Sequence, residues 1–380
     1  MIYPSNFEKK IGFDDVRRML DRYCLCGLGR KKVEDMTFST DASEISQWLC
    51  QIREFRRLME ESEDFPLDNF YDMREQIAHL RLEGTYLEEE ELWNLQRSLS
   101  TIHRIIVFLS RDSEEAAVGN FTYRYPALQR LTDGVCIFPN IIGRIEQMLD
   151  KYGHIKDTAS IELARIRYEL QKTQGSISRT LNAILNTVKH EGLVDKDVSP
   201  TLRDGRLVIP VVPSMKRRIR GIVHDESASG KTVYIEPAEV VETNNRIREL
   251  ENEERREIIR ILKDVASLIR PYIREISESY HLLATIDFIR SKSLLAELLN
   301  CYEPEIGSEP VVDWIHARHP LLQLSLERYA TERVPEDTSP VKKIVPLDIV
   351  LTPEKRMLII SGPNAGGKSV CLKTAGLRSE

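Results

Sequence analysis

Apolar residues recur every three or four positions along most of this chain, and they alternate only in a few short stretches. Leu92, Leu95, Leu99, Ile102 and Ile106 fall at such spacings and predict a helix over residues 88–109, entered after the turn pair Gly84-Thr85. Residues 13–23 and 42–59 read as further amphipathic helices separated by turn clusters, so residues 1–154 predict a helical core. The acidic run Glu88 to Glu91 sits at a helix start, where negative charge is stabilising, and reads as structural rather than catalytic.

A different pattern begins at Ile155. Ile155, Ala159, Leu163, Ile166, Leu170, Thr173, Ile177, Leu181, Ile184 and Val188 form a nearly heptad seam, a rod of roughly 50 Å. Its partner comes later: residues 240–270 carry Ile247, Leu250, Ile258, Ile261, Val265 and Leu268 on one side, and Pro271 is expected to kink or end that helix. The stretch 251–257 (ENEERRE) has no apolar residue and is expected to be mostly solvated, which suits a slender two-helix arm. Between the two helices the period changes to that of strands. Arg203-Asp204-Gly205-Arg206 signals a hairpin, followed by β-rich segments over 207–212, 218–223 and 231–237. A small sheet at the far end of a long antiparallel arm is the implied geometry.

Beyond residue 303 short strands and loops take over at 311–322 and 342–351, with a polar, Pro-containing loop at 335–340. An apolar strand is expected at 357–360 and a helix at 370–377. The fold class is therefore mainly α, with a small β-rich tip on long antiparallel helical arms and the beginning of an α/β domain.

Composition adds three constraints. Only 35 of 380 residues are Gly or Pro, which favours long elements over loop-rich β architecture. The longest apolar runs are far short of a membrane span, and the charged start MIYPSNFEKK lacks a secretory pattern, so a cytoplasmic location is expected. The six cysteines are scattered; Cys24-Leu25-Cys26 has no second Cys pair or His near it and reads as reduced cysteines in a helix.

The net charge of -6 excludes a strongly basic nucleic-acid coat and leaves only a local patch. Such a patch exists. Between Pro200 and Thr232 the chain carries Arg203, Arg206, Lys216, Arg217, Arg218, Arg220 and Lys231 against Asp204, Asp225 and Glu226, a local excess of four positive charges. Cations without a stacking set other than Tyr234 point to sequence-independent phosphate contact. Arg206, Lys216, Arg217, Arg218, Arg220 and Lys231 are the candidate contacts with a nucleic-acid backbone.

The sharpest motif is Gly362-Pro363-Asn364-Ala365-Gly366-Gly367-Lys368-Ser369, which fits GxxxxGK[ST] between an expected strand and an expected helix. Glycines let backbone N–H groups curl around phosphates, and the following helix turns its positive end to them. Lys368 is placed to reach the β- and γ-phosphates of ATP, and the Ser369 hydroxyl to ligate Mg2+. Hydrolysis also needs an acidic strand end downstream of the loop. The sequence stops at Glu380, so no catalytic residue is assigned and no measurable ATP hydrolysis is expected of these 380 residues alone.

These residues resemble the MutS ATPases. RMLIISGPNAGGKSV is similar to their phosphate loop, and HARHP (316–320) to the motif opening their ATPase domain. Residues 221–258 are similar to the lever and clamp of the second bacterial MutS paralogue, and 13–33 to that branch's N-terminus. The resemblance divides the chain into a core (1–154), a first lever helix (155–195), a clamp tip (196–238), a second lever helix returning to the core (239–302) and an incomplete ABC-type phosphate-loop ATPase domain (303–380). None of the ten Phe is followed by Glu two positions on, as the mismatch sensor's wedge requires, and no separate reading domain precedes the first arm. Two departures stand out: the family's VPND segment is Val345-Pro346-Leu347-Asp348 here, and Ser369 replaces the common Thr.

The resemblance implies adenine contact at Ile344 and Val345, a homodimer, ATP and Mg2+ as cofactors, binding to branched or duplex DNA in restraint of recombination, and a nuclease in a C-terminal Smr domain. In some members it implies binding to stalled ribosomes. Phosphate contacts look alike for DNA and ribosomal RNA, so both partners stay open at this point. An SMC-type ATPase fits less well, because there the phosphate loop precedes the coiled arm.

Overall fold

The computed structural model describes residues 6–61, 64–111, 123–192, 194, 197–203, 206–227, 229–307, 309–332, 344–363 and 366–379. It is mainly α-helical with small antiparallel sheets, as the periodicity predicts. Contacts divide the chain into two compact units, one formed by Met1–Ile77, Arg97–Phe138 and Tyr272–Glu380, the other by Ala78–Gln96 and Pro139–Pro271.

The helices of the first 150 positions are α1 (Phe7–Ile11), α2 (Phe13–Tyr23), α3 (Gly27–Glu34), α4 (Ala42–Glu61), α5 (Arg74–His79), α6 (Glu89–Leu109), α7 (Pro126–Gln129) and α8 (Pro139–Met148). In unit one, α2, α3 and α4 pack on a helix from the far end of the chain, Ile273–Leu298. Asp287 on that helix is fully buried and accepts the backbone N–H groups of Leu25 (2.8 Å) and Cys26 (3.1 Å). It thereby satisfies donors that would otherwise be orphaned at the start of α3. Burial raises its pKa despite those donors. Cys24 and Cys26 therefore lie at the α2–α3 junction, not inside a helix, and burial pushes both thiols up to about 11. Such thiols are poor metal ligands and poor nucleophiles at neutral pH.

Lys292, on the same helix, lies between Phe288 (4.1 Å from its ring centroid) and Trp48 (5.7 Å). Burial, with a smaller push from Lys32, lowers its pKa to about 8. A depressed lysine costs stability while charged, so stability is expected to rise as pH passes from about 8 towards 10.5. Lys292→Met is expected to raise the melting temperature at pH 7 by a few degrees and to remove that slope, as thermal melts at pH 7 and 9.5 would report.

Unit two holds the arm. Its first helix, α9 (Ile161–His190), starts six residues later than its seam, because Asp157–Ala159 forms a 3-10 turn and Ser160 caps the helix by accepting from the Leu163 N–H at 2.9 Å. The sheet follows: β1 (Thr201–Arg203), β2 (Arg206–Val211), β3 (Gly221–Glu226) and β4 (Val233–Pro237), antiparallel in the order β1-β2-β4-β3. The predicted hairpin is present, with Arg203 opposite Arg206; its turn, Asp204-Gly205, lies outside the described residues. Residues 218–220, expected in a strand, belong instead to the connection before β3.

The second helix, α10 (Ala238–Ile269), packs along α9 and gives way at Arg270–Tyr272 to a 3-10 turn before α11 (Ile273–Leu298), where Pro271 was expected to break the helix. The arm is not one continuous apolar seam. Leu163 and Ile166 are buried at one end and Leu181, Leu185 and Val188 at the other, while Leu170, Thr173 and Ile177 between them are only half-buried. Two helices alone leave much of each other's surface wet. Arg167–Glu254 (2.7 Å) and Arg246–Glu169 (3.3 Å) cross between the helices. The run 251–257 is not wholly solvated: Glu257 is buried, accepting from Arg260 and from the Ser160 hydroxyl at 2.6 Å.

Unit one ends in β5 (Val312–Ala317), α12 (Pro320–Thr331), β6 (Leu347–Leu351), antiparallel to β5, and α13 (Lys368–Ser379).

Candidate nucleotide loop and nucleic-acid interface

The phosphate-loop motif ends on α13, whose first residues are Lys368 and Ser369. Gly367 has φ +80°, a left-handed turn that lets the chain enter the helix at once, and a Cβ on Gly366 would press the Pro363 carbonyl at 3.1 Å. The Lys368 ammonium folds back over the loop and donates to the Gly362 carbonyl. Ser369 is exposed beside it. Side-chain-free backbone, the positive end of a helix, a lysine and a hydroxyl are the donor set that a polyphosphate with Mg2+ requires, and the residues present fit it. Asn364 and Ala365 lie outside the described residues.

The surroundings differ from expectation in one respect. Residues 357–360 form no strand; Met357 and Ile359 are 89% and 90% exposed. A strand exists only where a neighbour completes its ladder, and no described segment pairs there. Ile344 is half-buried and Val345 is 87% exposed, so the described residues close no pocket over Val345. Asp348 accepts the His316 N–H at 2.6 Å, at the bulge between β5 and β6 where His316 has φ +54°. It holds that bulge in shape.

In unit two, β2 and β3 flank β4 on opposite sides, so residues 212–220 must cross the sheet as a strap. Ile219 is buried in the cluster formed by Leu181, Leu185, Ile209, Val211, Val233 and Ile235, and Met215 packs against it. Those two anchors leave Lys216, Arg217, Arg218 and Arg220 exposed. Lys231 is exposed too, and none of the five forms an ion pair among the described residues.

The other two cations are committed. Arg203 lies 4.6 Å over the Tyr234 ring and donates to its hydroxyl at 3.1 Å. Arg206 pairs with Glu236 at 3.0 Å. Glu236, whose side chain has no exposed surface, also accepts from His224 at 2.5 Å and from Asn244 of α10. Burial alone would raise its pKa; Asn244, Arg206 and His224 outweigh that and hold it below the usual glutamate value. Glu236 thus ties β2, β3 and the arm together. Sequence reasoning missed it, because alternation along β4 assigns Glu236 to the outward face with Tyr234.

Two long helices thus carry a small basic sheet, in a chain that also holds a phosphate-loop motif. No protein-family model matches the chain. It is similar to proteins named Endonuclease MutS2: 32% identical over 369 residues to that of Symbiobacterium thermophilum (97% of this chain, 43% of the relative), and 32% over 369 residues to that of Levilactobacillus brevis (97% and 44%). That of Alkaliphilus oremlandii is 29% identical over 365 residues (96% and 43%). The chain spans about two fifths of the length of these curated relatives.

Proposed function

We propose that this chain is the lever, clamp and phosphate-loop portion of a MutS-type ATPase that grips branched or duplex DNA without reading its sequence and restrains recombination. The observation that carries the reading is the strap: four adjacent exposed cations held outward by Met215 and Ile219, with no carboxylate partner among the described residues. Phosphates are the ligand such a row attracts, and a lone tyrosine already covered by Arg203 offers little stacking for single strands.

ATP with Mg2+ is the cofactor proposed for the loop at 362–369, with adenine contact at Ile344 and Val345 and a homodimer as the working form. The relatives are named endonucleases; nuclease activity is assigned to the Smr domain that the resemblance implies, outside this chain. No helix among the described residues is long and apolar enough to cross a membrane.

Binding to a four-way DNA junction, to linear duplex and to ribosomes, each with and without Mg-ATP, tests the partner. Retention of the junction with no ribosome co-sedimentation is expected; the reverse result would replace DNA by ribosomal RNA. The 380 residues are expected to bind nucleotide weakly and to turn none over. Steady phosphate release that disappears with Lys368→Ala would refute this.

A further inference from the structure

The helix that presents Lys368 and Ser369 is seated by the other end of the chain. Gly376 lies two turns beyond Lys368 on α13, and α1 packs against it so closely that a Cβ there would stand 2.8 Å from Ile11 Cγ2 and 3.1 Å from Phe7 Cζ. Ile11 is 5% exposed. Leu321 of α12 in turn approaches Gly12, the left-handed residue that ends α1, and the buried His319 that caps α12 lies within the electrostatic reach of Lys373 on α13. Thr374, on the same stretch of α13, is 3% exposed, whereas Val370 and Leu372 face outward at 40% and 63%.

A helix of twelve residues is marginal in water, so the order of α13 comes from what packs on it. Among the described residues α1 supplies packing of that kind, with Phe7 and Ile11 against Gly376. The direction of the free N–H groups at the start of α13 therefore depends on a contact two turns away. We infer that α1 is a positioning element of the nucleotide loop: Phe7 and Ile11, wedged on Gly376, hold α13 in place, and occupancy of the loop in turn orders α1. The inference rests on the phosphate-loop reading. Coupling of this kind is reciprocal, so each side reports on the other.

The test uses the 380-residue chain, a fluorescent ATP analogue with Mg2+, and amide exchange of residues 7–12. In the unaltered protein, Mg-ATP is expected to slow exchange at 7–12. Gly376→Leu, which displaces α1, is expected to weaken nucleotide binding about tenfold and to abolish that protection. Phe7→Ala, which leaves α13 untouched, is expected to act in the same direction with smaller size. Gly376→Ala separates contact from helix strength: alanine favours a helix over glycine, so binding tightens if helix propensity alone matters and weakens if the α1 contact matters. Unchanged affinity in Gly376→Leu and Phe7→Ala, with exchange at 7–12 indifferent to nucleotide, overturns the coupling. Lys368→Ala keeps the two readings apart. If it binds nucleotide as tightly as the unaltered protein, or if that protein binds none, the loop reading itself is wrong and the inference falls with it.

Discussion

Replacing Lys216, Arg217, Arg218 and Arg220 together by alanine is expected to lower duplex affinity by about two orders of magnitude at low salt and to flatten its salt dependence. The physical basis is counterion release, which gives a slope of about -0.9 in log K against log salt for each phosphate neutralised on a duplex. With Lys231 included, five free cations predict a slope of about -4.5, and removing four leaves about -0.9. Arg203→Ala serves as the control. Its guanidinium lies over Tyr234 and 4.0 Å from the Asp225 carboxylate, so the slope should change by less than one phosphate's worth. Titration by fluorescence anisotropy at four salt concentrations checks both, and a quadruple variant with the parental slope would remove the strap from the interface. The variant should fold, because Ile219 and Met215, which anchor the strap, are untouched.

Glu236→Ala is expected to loosen the whole clamp. It strands Arg206, half-withdrawn from water, together with His224 and Asn244, and breaking a buried ion pair from one side costs about 3 kcal/mol or more. Amide exchange in β2, β3 and β4 should accelerate by about a hundredfold, while α2 to α4 exchange as before. Because the folded pKa lies below 4.5, the carboxylate's contribution is fully present above that pH and is lost as pH falls below it. Protection in β3 and β4 should accordingly drop as pH is lowered below 4.5 in the unaltered protein, and the variant should show no such drop. Equal exchange in the two proteins at pH 6 would show that Glu236 bears no part of the clamp's stability.

The arm was legible because its signal is local and repeated. Periodic apolar positions specify two long helices, and α10 appears within two residues of its predicted bounds while α9 starts six residues after its seam. The interruption of the seam at Leu170, Thr173 and Ile177 was not legible, since a heptad pattern cannot say whether a third element covers the pair. Residues 357–360 make the same point for strands: an apolar run is a strand only when another segment offers its backbone. The Cys24 and Cys26 thiols look like one more stretch of helix in sequence, and only Asp287, 261 positions from Cys26, explains the junction they occupy.

The candidate sites divide in the same way. Eight consecutive residues carry the phosphate-loop motif, because glycines, lysine and hydroxyl all fall within them. The basic tip was visible as a count of seven cations, yet charge along a chain does not reveal which side chains are already paired. That was decided in the tertiary structure, where β4 brings Tyr234 under Arg203 and Glu236 against Arg206, and the crossing of the sheet turns Lys216, Arg217, Arg218 and Arg220 outward. Short-range chemistry is thus written in the sequence itself, whereas the free or committed state of a charge depends on partners that only folding brings within a few ångströms.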